Sequence, residues 1–219
     1  MSDPVYIIGF GLLIVGILLY FLSGRKKAGE EDENALLHLL ERITNTQLRS
    51  RNLESELRDI LHRPDDVIHD PFAQLVQGSP VVDILGSVTV DDVFNLAAAQ
   101  LGNELPISKQ EILTLLRTRE QESSTVITPF VAIPHIILEG QNMFKMFVAR
   151  CRHGIRFSPE QQSVKAVFVI LGTKDERHTH LKTLADIAKI VQAENFEDKW
   201  LVARDEPQLR TLLMSLRKH

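Results

Sequence analysis

The sequence predicts an α/β domain preceded by one membrane-spanning helix and a helical linker, and three observations carry that reading. An uncharged apolar run, Val5 to Leu22, stands near the start of the chain. A charged stretch of helical period follows it. From Pro71 onward, short apolar runs of strand character alternate with capped helical patterns, as in a sheet covered by helices. The division is therefore 1–28 for the anchor, 29–70 for the linker and 71–219 for the globular domain.

The anchor is argued from length and charge. At about 1.5 Å of rise per residue the run spans roughly 27 Å, close to the hydrocarbon core of a bilayer. Tyr6 and Tyr20 sit near its ends as interfacial aromatics do, and Arg25, Lys26 and Lys27 follow it while only Asp3 precedes it. The positive-inside rule then gives a single pass through the inner membrane with the domain in the cytoplasm. A signal peptide is the alternative, but the segment before the run lacks positive charge and no A-x-A-like site follows it.

In the linker, Leu36, Leu39, Ile43, Leu53, Leu57 and Ile60 form a heptad-like stripe that Thr46 and Ser50 interrupt. Such a stripe fits a homo-oligomeric coil, or a helix packed on its own domain or on a membrane partner. Arg63-Pro64-Asp65-Asp66 ends it. Val81 to Leu85 reads as a strand. Thr89 with Asp92 and Ser108 with Glu111 resemble capping boxes. The first opens a helix that stops at Gly102, and the second opens a helix ending at Arg119. Val131 to Ile133 is a strand that Pro134 terminates. Met143 to Cys151 and Val164 to Leu171 are further strands, the second apolar on both faces and so interior to the sheet. His178 to Val191 is an amphipathic helix, and Asn195 to Leu216 holds two more.

Composition excludes some classes of function. Among 219 residues, 25 Lys and Arg face 29 Asp and Glu, a net charge of −4. That balance implies no basic surface for nucleic acid. Cys151, the one cysteine, forms no internal disulfide and reads as a buried thiol in a reducing compartment.

His135 follows Pro134 at a strand end, where a rigid scaffold presents a side chain to a partner. A histidine so placed is a metal ligand, a general base, a nucleophile that accepts a phosphoryl group, or simply a satisfied core residue. No H-E-x-x-H and no paired cysteines accompany it, so no metal is expected, and without G-x-S-x-G there is no hydrolytic triad. Phosphoryl acceptance remains: an imidazole nitrogen attacks in line while neighbouring donors stabilise the equatorial oxygens. His180, opening a helix, is the candidate second imidazole. Arg119, Ser124 and Thr125 are candidates for cradling the anion. No cofactor is called for.

In this order, Arg119-Glu120, Ser124-Thr125, Ala132-Ile133-Pro134-His135, Gly154-Ile155 ahead of Phe157, and Thr179-His180-Leu181 resemble the motifs of a known family. It is the type 2 enzyme IIA domain (fructose, mannitol and nitrogen class) of the bacterial phosphotransferase system. The resemblance runs from about Phe72 to the C-terminus. It implies a central mixed sheet flanked by helices, with His135 as phosphoryl acceptor, His180 as second imidazole, and Arg119, Ser124 and Thr125 facing the phosphate. It also implies a histidine-containing phosphocarrier protein as donor. Two places depart from the pattern. Thr128-Pro129-Phe130 stands where the family has a glycine-rich stretch, and Arg156 stands where Asp is common.

With its anchor, the chain resembles IIA-like domains appended to amino-acid permeases and cation/proton antiporters. Three functions are therefore open. One is a membrane-tethered regulator of such a transporter, acting through phosphorylation of or anion binding at His135. Another is a working phosphohistidine carrier in a sugar relay, and the third is an accessory subunit with a vestigial histidine.

Overall fold

The computed structural model describes residues 34–41, 44, 48, 52–62 and 70–217. The expected span Val5 to Leu22 lies outside them, and among the described residues no helix is long and apolar enough to cross a membrane. A first helix, α1, covers residues 34–41, and a compact unit runs from Leu39 to the C-terminus.

Two segments rich in β-branched and aromatic residues build the centre of that unit. β5 (Phe144–Arg156) and β6 (Val164–Thr173) pair antiparallel. β1 (Val81–Ile84) and β2 (Val88–Thr89) run parallel to β5 on its other edge, and β3 (Val131–Ala132) and β4 (His135–Leu138) run parallel to β6. The order β1-β5-β6-β3 places the antiparallel pair inside a mixed sheet. Both central strands run longer than expected. β5 continues through a register shift between Arg150 and Ile155, and Gly154 takes φ +95° beside it. A Cβ there would meet the Gln162 carbonyl oxygen at 3.0 Å, so this turn of the strand requires glycine.

Successive side chains in a strand point to opposite faces, and the two faces of this sheet serve different layers. Phe147, Ala149 and Cys151 of β5, with Val167, Val169 and Leu171 of β6, pack into one apolar cluster. They share it with α4 (Val90–Leu101) and α5 (Lys109–Glu122). α4 begins as expected, the Thr89 hydroxyl accepting from Asp92 N–H and the Asp92 carboxylate from Thr89 N–H. α5 continues nearly a turn past Arg119, to Glu122.

Residues of the other parity face α6 (Arg177–Gln192), α7 (Phe196–Val202) and α8 (Glu206–Leu216). Phe168 meets Trp200 there at 5.7 Å between ring centroids. α3 (Pro71–Gly78), capped by Asp70, packs beside α8. In the linker, α2 (Leu53–His62) buries Leu53, Leu57 and Ile60 and packs along α6. Its Glu56 pairs with Arg177, which also donates to the Leu48 carbonyl at 2.7 Å. This part of the apolar stripe is thus buried within the chain.

One charge is sealed into the α7 side of the sheet. The Arg150 guanidinium is fully buried and donates to Asp83 at 3.0 and 2.5 Å and to the Trp200 and Ala203 carbonyls at 2.8 and 2.7 Å. These bonds join β1, β5 and the C-terminal end of α7. They also hold the Asp83 carboxyl below the usual carboxylate range, the Arg150 hydrogen bond being the main cause. Without Arg150, Asp83 is half-buried and keeps Arg152 at 3.5 Å, but the Trp200 carbonyl loses its Arg150 donor. Arg150→Met is therefore expected to lower unfolding free energy by about 1–3 kcal/mol, read from urea denaturation midpoints. A loss near that of an ordinary surface substitution would show that the cluster is not a structural tie.

Candidate functional site

The site begins with a strand that the sequence did not reveal. β3 ends at Ala132, and Pro134, which has no N–H, still offers its carbonyl to Ile170 N–H at 2.9 Å. The chain is thereby held against β6 and resumes as β4 with His135 as its first residue. His135 was expected to stand exposed at an open strand end, but it is fully buried. Because Ile136 and Leu138 pack into the cluster under α4 and α5, residue-by-residue alternation turns His135 to the opposite face, toward α6.

His180, in the first turn of α6, meets it there. The two rings lie edge to face, 5.7 Å between centroids and 75° between planes. His180 is also fully buried, and Phe144 flanks it edge-on at 5.5 Å. The ring has this room because residue 172 has no side chain. A Cβ at Gly172 would come within 2.7 Å of Phe144 Cδ2 and 3.2 Å of His180 Nδ1.

Hydrogen bonding selects the nitrogen available for chemistry. His135 Nδ1 lies 2.9 Å from the Ile133 carbonyl oxygen. A carbonyl only accepts, so Nδ1 carries the proton and the lone pair of the neutral ring sits on Nε2. His135 Nε2 and both nitrogens of His180 are buried without a hydrogen-bond partner. Burial, with a smaller contribution from the Arg119 charge, pushes the His135 pKa down to about 4, and the Ile133 bond opposes the shift. His180 is also driven well below the usual imidazole value, by burial first and then by His135. Both rings are neutral at pH 7.

The structure distributes the expected anion cradle unevenly. Arg119 is nearly buried and its Nη1 donates to the Ser123 carbonyl and hydroxyl, each at 2.9 Å, while its charge reaches His135. The Ser124 hydroxyl donates to Gln161 Oε1 at 3.1 Å. Thr125 donates its N–H to the Glu120 carboxylate at 3.1 and 3.3 Å and its hydroxyl to the same group. The Thr125 carbonyl in turn accepts from Ile133 N–H at 3.0 Å. A hydrogen-bonded path thus runs from Glu120 through Thr125 and Ile133 to His135.

In the sequence, Glu120 stands out only as part of the Arg119-Glu120 motif. Its signal was an acidic residue five positions before a threonine. Burial raises its carboxyl above the ordinary value despite the Thr125 bonds. In the stretch where glycines were expected, the Phe130 carbonyl accepts from Lys165 and Ala166 N–H at 2.8 and 3.0 Å, and Thr128 closes a turn onto Val131 N–H. That backbone serves the sheet. Arg156 is exposed beside β2, where its charge acts on Asp92.

The depressed imidazole values have a consequence for stability. Below pH 6.5 the unfolded chain takes up protons that the folded rings refuse, so stability is complete above that pH and is lost as pH falls toward 4. Each ring contributes a slope of up to about 1.4 kcal/mol per pH unit. Urea midpoints of the wild type are expected to fall steadily from pH 6.5 to pH 4, and His135→Gln should fall less steeply. Equal slopes would contradict a buried neutral ring.

Residues 82–215 match the family model of the phosphoenolpyruvate-dependent sugar phosphotransferase system, EIIA 2. A nitrogen regulatory protein of Bradyrhizobium diazoefficiens is 27% identical over 145 residues, covering 65% of this chain and 94% of its own length. One from Klebsiella oxytoca is 35% identical over 99 residues, covering 44% and 59%. The crystal structure of nitrogen regulatory protein IIA-Ntr from Neisseria meningitidis shares the fold with a TM-score of 0.56. Its identity is 22%, over 65% of this chain and 94% of that one. The matched stretch is more than half of the chain and contains every residue of the paired-imidazole site, so the protein belongs to the type 2 enzyme IIA family of the phosphotransferase system.

Proposed function

We propose that the chain is a membrane-tethered enzyme IIA-type regulator of a transporter, a permease or antiporter, in which His135 Nε2 accepts a phosphoryl group as the signal. The observation that carries the reading is the His135–His180 pair, with one nitrogen committed to Ile133 and the other unpartnered. In the transfer, the Nε2 lone pair forms the new N–P bond as the donor's own N–P bond breaks, returning its electron pair to the donor imidazole. Nδ1 keeps its proton on the Ile133 carbonyl throughout. The neutral His180 ring carries one N–H that it can donate to a phosphoryl oxygen, and Arg119 adds long-range positive charge.

Burial favours regulation over relay. An unpaired phosphoryl dianion sealed among these rings would cost many kcal/mol, because charge is expensive in a low-dielectric interior. Phosphorylated His135 must therefore rearrange its surroundings, and a rearrangement is what a transporter can read. The two relatives named nitrogen regulatory proteins support the same choice. The vestigial reading keeps one observation in its favour: both rings are sealed.

Incubation of the chain with phosphoenolpyruvate and the two general phosphotransfer proteins tests acceptance. Acid-labile label is expected on the wild type, absent from His135→Ala, and slowed by about tenfold or more in His180→Ala. An unlabelled wild type beside a labelled sugar-class enzyme IIA control would overturn phosphoryl acceptance at His135. The tether is tested by fractionation: the full chain is expected in the membrane pellet and a chain lacking residues 1–28 in the supernatant. Recovery of both in the supernatant would remove the anchor.

A further inference from the structure

We infer that Glu120 is a positioning residue for His135. Its carboxylate ties the base of the hairpin 125–133 to α5, and with it the Ile133 carbonyl that keeps the proton on Nδ1 and the lone pair on Nε2. This role rests on the reading of His135 as a phosphoryl acceptor, for which Glu120 would set the tautomer.

Neither the helix nor the interior favours a carboxylate at this position. Glu120 lies in the last turn of α5, where the helix dipole disfavours negative charge. It is half-buried, and that burial raises its carboxyl above the ordinary value. A carboxylate kept against both effects is a functional candidate. It receives both donors of Thr125, the N–H at 3.1 and 3.3 Å and the hydroxyl.

Thr125 opens a short hairpin. Its carbonyl accepts from Ile133 N–H at 3.0 Å, Val126 and Ala132 form an antiparallel bridge, and Ile127 N–H donates to the Val131 carbonyl at 2.9 Å. Ile133 is thus held on its N–H side by the residue that Glu120 holds. On its other side Pro134 confines Ile133 to extended backbone and fastens its own carbonyl to Ile170 N–H at 2.9 Å. With both flanks fixed, the Ile133 carbonyl is aimed at His135 Nδ1, 2.9 Å away. A neutral imidazole carries one proton, and the hydrogen bond made by one nitrogen decides which of the two bears it. Because Nε2 has no hydrogen-bond partner, the Ile133 carbonyl decides between the tautomers. Glu120→Gln keeps the shape of the side chain but sets an NH2 group against a Thr125 donor. The hairpin base then shifts, and the proton is shared with Nε2, where it blocks attack.

The test compares Glu120→Gln with Glu122→Gln, an exposed carboxylate in the same helical turn, in the full chain in detergent. The His135 tautomer is read from its ring ¹⁵N resonances, assigned by their loss in His135→Gln. Acceptance is read as the initial rate of labelling from phosphoenolpyruvate with the two general phosphotransfer proteins. Glu120→Gln is expected to move the His135 signals toward the Nε2-protonated form and to slow labelling by about tenfold or more. Glu122→Gln should match the wild type in both. Thr125→Val, which deletes the hydroxyl at the other end of the bond, should move the signals in the same direction and serves where urea midpoints show Glu120→Gln unfolded. Wild-type signals in a folded Glu120→Gln or Thr125→Val overturn the role, and so does slowed labelling with an unmoved tautomer. An equal effect of Glu122→Gln also overturns it, because charge near Arg119 would then be the cause. A wild type that takes no label overturns the phosphoryl reading instead. The tautomer is read without phosphate, so the two readings fail separately.

Discussion

Two imidazoles share a sealed space, and both must be uncharged for the fold to hold them there. Burial disfavours a proton on either ring, and the Arg119 charge adds to this at His135 as the His135 ring does at His180. Much of the nearby architecture serves that condition. β4 has the parity that turns His135 inward, glycine at 172 makes space on β6, and Phe144 fills the remaining side with a ring that demands no hydrogen bond. Neutrality is also what nucleophilic attack requires, because a protonated Nε2 has no lone pair. The constraint that the core imposes and the one that the chemistry needs are the same.

The loop before the strand follows a different logic. Three of its side chains are engaged within the chain: Thr125 with Glu120, Ser124 with Gln161, Arg119 with Ser123. An anion binding there would compete with carboxylate, amide and carbonyl acceptors. The Thr125–Ile133 bridge carries the outcome to His135, since the carbonyl holding Nδ1 belongs to the residue that Thr125 fixes.

The central strands, the capped helices and the histidine pair were legible because each rests on a local signal. Val164 to Leu171 is apolar on both faces apart from Lys165, Thr89 and Asp92 stand three apart, and Thr179-His180-Leu181 belongs to an ordered motif set. Other features had no local signal. β4 was hidden because Pro134 reads as a terminator, and only the Pro134 carbonyl's bond to Ile170 shows that the chain stays on the sheet. The burial of His135 follows from strand parity, which requires knowing that β4 exists. Arg150 lies in an apolar run, and its partners lie far away in sequence, at Asp83, Trp200 and Ala203. α3 was passed over because its eight residues are short for a periodicity argument.

α6 is the element on which these separate features converge. Nearly every residue from His180 to Ile190 is buried, as expected for a helix enclosed on all sides rather than lying on a surface. It touches β6, α2, α7 and α8, and its first residue, Arg177, is held by Glu56 and Leu48 of the linker. His180 stands one turn from that attachment. A pull on the linker and a change at the imidazoles therefore act on the same helical turn, and a packed helix moves as a unit because its interfaces do not deform gradually. α6 is thus one rigid body attached both to the imidazole pair and to the linker, and the resistance of its packing would make any response of one to the other two-state rather than graded.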